Sequence, residues 1–433
     1  MDLWQLTASE AGARMAGGTL SSEAYTRACL ARILEREPLV KAWAHLDAEG
    51  ALAQARARDR EPRRSPLHGL PVGLKDVIRT KDLPTTFNSP IYAGHQANED
   101  AHSVAVLRAL GAVVLGKTQT LEFACGGQFP QTCNPWDLTR TPGGSSSGSG
   151  AAVADGMVPL ALGTQTGGST IRPAAFCGVY GMKPTWGRIP FDGIKSFAPH
   201  LDTVGLFARS VDDLRLLLQA YALHELPAPV VPGWRELRLG ICRTPYWDEA
   251  EPQAQSAFEA ALLRLRDAGV RLIELPWAPE FADINRWQDD IMQDGGRSAF
   301  WPEMLLEPDR LHGDFKAKLQ NHLGLTPERM RSSLDSVARC RMAFEQSMTD
   351  VDAVLGLSAP GVAPLGLQTQ GMATFNRLWT ALQVPCITMP VLWSVEGLPM
   401  GLQLTHRRYE DHRLLEVAAS LAPLLDLRKN SWN

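Results

Sequence analysis

The chain has 433 residues, 45% of them hydrophobic and 21% charged, with a formal net charge of -4 and a pI near 6.2. That composition suits a soluble globular core and excludes the basic surface by which proteins hold a nucleic acid or an anionic membrane. No apolar run approaches the ~18 residues of a membrane span. The seven cysteines form neither a CxxC pair nor a zinc spacing, so reduced thiols, a cytoplasmic setting and no bound metal are expected.

The opening MDLWQLTASEAGARMAGG lacks a basic segment followed by an apolar one, and no signal peptide is expected. Apolar residues recur at three- and four-residue intervals through SSEAYTRACLARILERE, predicting a helix capped by Ser21 or Ser22. ALAQARARDREP predicts a second helix ending near Pro62. HGLPVGLKDVI is short, apolar and interrupted by Pro and Gly, as in a strand that runs into a functional loop. DAHSVAVLRALGAVVLGKT predicts a helix, a stop at Gly111 and a strand, an α/β unit. A further helix starts at Ser210, with Asp213 completing a capping box. Between about 227 and 350, helical stretches alternate with short strands such as RLGIC and VRLIELP and show no catalytic signature. VDAVLGLSAP, PMGLQLTH and DHRLLEVAASLAPLL predict a last α/β stretch returning to the same sheet. With no internal repeat or long linker, one α/β domain over 1–433 is the simplest organisation.

Two glycine–serine clusters stand out. GGSSSGSG at 143–150 has the composition of a flexible linker, yet it runs straight into AAVADGMVPLALGT, which has the small apolar residues of a buried helix and strand. The second cluster, Gly163 to Ser169 (GTQTGGS), follows a strand candidate. Consecutive glycines there let backbone N–H groups converge on one point, the geometry that holds a developing oxyanion. Ser169 would be the nucleophile and the amides of Thr166, Gly167, Gly168 and Ser169 the oxyanion hole. A tight turn ending in a solvated serine is the better reading of a lone GGS taken by itself. A serine hydroxyl needs a base, and His95, His102 and His200 lie in polar, loop-like sequence. Lys75, the only lysine closely flanked on both sides by apolar strand-like residues, can serve if desolvation removes its proton. A snorkelling lysine beside a surface Asp76 is the plainer alternative.

Taken together, HGLPVGLKDVI, NPWDLTRTPGGSSSGSGAAVA and GTQTGGSTIRPAAFCGVYGMKPTWGRI resemble the amidase signature family. Lys75, Ser145 and Ser169 fall on its Lys–cis-Ser–Ser triad. The resemblance implies a large mixed β-sheet surrounded by helices, no cofactor, and amide hydrolysis through an acyl-Ser169. Ser145, following a cis peptide, would pass protons between Ser169 and neutral Lys75, with Ser146 in support. Gln165 stands where many members carry Asp. The order Ser169-Thr170-Ile171-Arg172 is similar to malonamidase-type enzymes, in which Arg172 would grip a substrate carboxylate with Thr164 and Gly144 nearby. This favours a small amide bearing a second carboxylate as substrate, with walls from the variable region 227–350 and the stretch around Phe375; the resemblance also suggests a homodimer. The alternative is the A-type component of the aminoacyl-tRNA amidotransferase, a glutaminase that shares the triad and needs companion proteins. From another class, Gly111–Thr118 matches the phosphate-binding pattern GxxxxGK[ST]. There, however, the apolar Ala112–Leu115 read as strand and the preceding HSVAVLRAL as helix, inverting the order that phosphate binding needs.

Overall fold

The computed structural model describes residues 2–221 and 231–425. Eleven strands form one sheet: β1 (Trp43–Leu46), β2 (Pro71–Lys75), β3 (Val113–Thr118), β4 (Leu160–Gln165), β5 (Tyr180–Lys183), β6 (Thr203–Ala208), β7 (Arg238–Ile241), β8 (Arg271–Glu274), β9 (Ala353–Leu357), β10 (Cys386–Trp393) and β11 (Pro399–Thr405). Their order is β1-β3-β2-β4-β6-β5-β10-β11-β9-β7-β8. Parallel trios, β3-β2-β4 and β9-β7-β8, sit toward either end, and antiparallel strands join them through the middle. The central strands are buried along their whole length, and helices cover them; this is why they read as continuous apolar runs rather than alternating ones.

Local chemistry explains most boundaries. Ser21 caps the helix Ser22–Val40 by accepting from the Ala24 amide. The helix Ser147–Ala154, built from Gly, Ser, Ala and Val, is buried throughout, so the GGSSSGSG run is core and not linker. The strand β3 contains the GKT of the phosphate-loop pattern, directly after the helix His102–Ala109, so no loop is left to cradle a phosphate. The capping box at Ser210 is only half formed. Ser210 accepts from the Asp213 amide, but the Asp213 carboxylate turns away to the Ala8 and Ser9 amides and the Ser9 hydroxyl, tying the N-terminal helix down.

Two features of the sheet position the site. β2 and β4 are parallel neighbours in the register Val72↔Leu160 to Leu74↔Leu162, which brings Lys75 at the carboxyl end of β2 beside β4, within reach of Thr164. At Gly163 a side chain would meet Ser146 Oγ at 2.7 Å and the Phe207 ring at 2.6 Å; glycine is what lets the 143–150 loop lie against β4.

Candidate active site

Lys75 has no exposed surface, and its Nζ lies 2.8 Å from both Ser145 Oγ and Thr164 Oγ1. Among the described residues no carboxylate pairs with it. Burial pulls its pKa well below the ordinary lysine value; the Asp202 charge opposes this shift and the Arg172 charge adds to it. Lys117 and Lys183 are equally buried in strands, so Lys75 is not singular in its apolar surroundings. What sets it apart is its partners. Lys117 meets the Asp76 carboxylate at 3.2 Å and is pulled, by burial first, only to about 8. Lys183 donates to the Pro184 carbonyl. Lys75 alone of the three faces two hydroxyls and no charge.

The Gly144–Ser145 peptide is cis. The Ser145 carbonyl accepts from the Leu121 amide at 3.3 Å, and the Ser146 amide donates to the Ser169 carbonyl at 3.4 Å. Ser146 Oγ bonds both the carbonyl and the amide of Thr164, at 3.2 and 3.3 Å. Ser146 therefore stitches the Ser145 loop to β4 on one side and to the Ser169 turn on the other.

The turn 166–169 is held from behind. Gln288 donates to the Thr166 carbonyl at 2.9 Å and Thr380 to the Gly167 carbonyl at 2.7 Å. The Thr166 hydroxyl donates to Asp202 at 2.6 Å, and the other oxygen of that carboxylate collects the Ser196 hydroxyl and the Phe197 and Ala198 amides. Gln165 Oε1 accepts from the Thr170 and Ile171 amides at the start of the helix Ile171–Cys177, while its Nε2 donates to Thr380. Among the described residues no group accepts from the amides of Thr166, Gly167, Gly168 or Ser169. Four N–H donors are thus left free while the turn's carbonyls are fixed, the arrangement that suits a developing negative charge.

Ser169 and the 166–168 turn line a cavity of about 380 Å³. Lys75 and Ser145 lie behind it, out of solvent. The opposite wall draws on Tyr246, Asn285, Gln293 and Lys318, with Met372 and Arg377 from the later stretch. Two expectations about the substrate side need correction. Thr164 and Gly144 are not on the cavity wall: Thr164 is occupied with Lys75, and the Gly144 carbonyl accepts from Arg172. Arg172 does border the cavity, but its two Nη groups donate to the carbonyls of Gly371 and Gly144 and to Gln370 Oε1, at 2.6–2.7 Å. It braces the loop before Ser145, and its Nε is left without a partner. The bracing roles of Gln288, Thr380 and Asp202 act across more than 30 residues of sequence, so no local pattern signals them.

No described helix is long and apolar enough to cross a membrane. The model of the family described as Amidase matches residues 24–286. The A subunit of the glutamyl-tRNA(Gln) amidotransferase from Chloroflexus aggregans is 35% identical, over 98% of this chain and 97% of its own length. Its namesake from Chloroflexus aurantiacus is 36% identical, over 96% of each. A crystal structure of an amidase superposes with a TM-score of 0.88 at 27% identity, covering 97% of this chain and 100% of its own.

Proposed function

The chain belongs to the amidase family and cleaves amide C–N bonds; from that premise we propose that it does so through an acyl-enzyme on Ser169. In this reading Ser169 Oγ attacks the carbonyl as its proton moves to Ser145 and the proton of Ser145 moves to Lys75. The tetrahedral oxyanion is met by the free amides of the 166–169 turn, where a single such donor contributes about 3–4 kcal/mol. Returning the proton along the same path releases the amine, and water then frees the acyl group. The observation that carries this is the fully buried Lys75 Nζ, without a carboxylate, 2.8 Å from Ser145 Oγ. Burial lowers the pKa of a lysine so placed and favours the uncharged form that can act as base.

The test is labelling of Ser169 by a fluorophosphonate together with ammonia release from a panel of mono- and diamides. Undiminished ammonia release by Ser169→Ala would end the reading.

As to setting, the sequence puts a stand-alone hydrolase of small amides first, but the relatives at 35–36% identity over nearly the whole chain favour the alternative, the A-type glutaminase component of an amidotransferase. Purifying the tagged chain from its own host at native abundance separates the two. Companion proteins that co-elute and are needed for glutamine hydrolysis support the amidotransferase role. A chain fully active by itself supports the hydrolase.

A further inference from the structure

The cavity that holds Ser169 carries more positive than negative charge. Three cationic side chains border it, Arg172, Lys318 and Arg377, against one carboxylate, Glu249. Their partners differ. Arg172 is 3% exposed, and all its hydrogen-bond acceptors are neutral. Burial, with the like charge of Arg377 second, draws it down to about 9, so it stays cationic at neutral pH. Arg377 is paired with Asp289 at 3.4 Å, and Glu249 accepts the Thr374 hydroxyl at 2.7 Å. The Lys318 ammonium has neither an acceptor nor an ion-pair partner among the described residues. Asp314, four residues before it on the helix Gly313–Leu319, is engaged with the Gly127 amide at 3.1 Å.

Lys318 is half-buried, and its stem is packed rather than free. A methyl group placed on Gly296 would come within 3.1 Å of Lys318 Cδ and 2.8 Å of the Phe197 ring, so the missing side chain at 296 is what makes room for the stem. The Lys318 charge is felt at Cys125 on the same wall, against burial first and then the Asp202 and Asp314 charges, which push that thiol up to about 12. An aliphatic stem packed in a notch, ending in an unpaired ammonium on the wall of a cavity already short of negative charge, is a receptor for an anion.

We propose that Lys318 binds a carboxylate on the acyl portion of the substrate, so that the enzyme selects amides whose acyl group is an anion. This rests on the acyl-enzyme reading above and moves carboxylate recognition from Arg172, which is committed to the scaffold, to Lys318.

The experiment measures kcat/KM for malonamate, succinamate and glutaramate against the neutral amide of the same chain length, in the wild type and in Lys318→Met, Lys318→Arg and Lys318→Glu. Fluorophosphonate labelling of Ser169 reports an intact site in each variant. The wild type is expected to prefer the anionic amide at least tenfold at one or more chain lengths. Lys318→Met should lower that ratio at least tenfold, Lys318→Arg should keep most of it, and Lys318→Glu should invert it. A wild-type ratio near one at every length, or a ratio in Lys318→Met equal to that of the wild type, would overturn the proposal while leaving the acyl-enzyme intact. Absence of both labelling and turnover in the wild type would instead overturn the acyl-enzyme, and this inference with it.

Discussion

Arg172 donates a hydrogen bond of 2.6 Å to the carbonyl of Gly144, the residue immediately before Ser145. The guanidinium is therefore a strut between the helix that follows the Ser169 turn and the loop that presents the middle hydroxyl. Replacing it should damage the reaction whatever the substrate's charge. Arg172→Met would leave buried carbonyls at 144 and 371 unsatisfied, at about 1–3 kcal/mol each. The expected result is a clear fall in Tm and a loss of kcat of a hundredfold or more, with the ratio between anionic and neutral amides preserved. A selective loss of anionic substrates would return carboxylate binding to Arg172.

In the proposed mechanism Lys75 sets the pH dependence. A base whose pKa is lowered by burial is unprotonated in the folded enzyme over a wider range than a free lysine. Activity should thus rise as pH increases through that lowered value and stay level above it, and Lys75→Ala should cost orders of magnitude. Stability carries the same signature. The unfolded chain binds a proton at this lysine that the folded chain does not, so its contribution to stability grows more favourable from the lowered value up to about 10.4. Lys75→Met should therefore be more stable than the wild type at pH 7 by chemical denaturation, and the gap should narrow toward pH 10. A gap that stays constant with pH would mean the lysine is charged in the fold.

Thr164 is the second hydroxyl on the amine. Thr164→Val keeps the shape and removes the oxygen, leaving Lys75 free to swing from Ser145. A ten- to hundredfold drop in kcat is expected with KM little changed, measured beside slower but complete labelling of Ser169. A wild-type kcat would show that Ser145 alone fixes the amine.

Asp202 collects four donors, one of them the Thr166 hydroxyl at the start of the oxyanion turn. Asp202→Asn can no longer accept at both positions. The expected cost is about 2 kcal/mol for a hydrogen bond to a charged group, read as a lower denaturation midpoint, together with at least a tenfold fall in kcat. Unchanged kcat in a destabilised protein would confine Asp202 to folding.

What the sequence made legible follows from distance along the chain. The buried small-residue helix after Ser146 could be read from a local pattern, a glycine–serine cluster running straight into small apolar residues, whereas the mixed sheet and the meeting of Lys75 with Ser145 were expected only through the resemblance to the amidase signature family. The misplacement of Thr164, Gly144 and Arg172 has a different origin. Each was assigned to the substrate through the likeness to malonamidase-type enzymes, whereas in this fold Thr164 is occupied with Lys75 and Arg172 with the carbonyls of Gly144 and Gly371. Asp213 likewise left its expected cap for backbone some 205 residues away. Lys318 had no signal at all, since the notch at Gly296 that seats it exists only in three dimensions.

The parallel pairing of β2 with β4 has one more implication. Lys75 and the Thr164 hydroxyl bonded to it come from adjacent strands within the sheet, whereas most of the chamber's far wall is contributed by helices and loops after residue 240. Bond-breaking power and taste in substrates are thereby housed in separate stretches of polypeptide. Exchanging the segment around 284–320 for that of a relative should retune which acyl groups enter while the proton path stays as built.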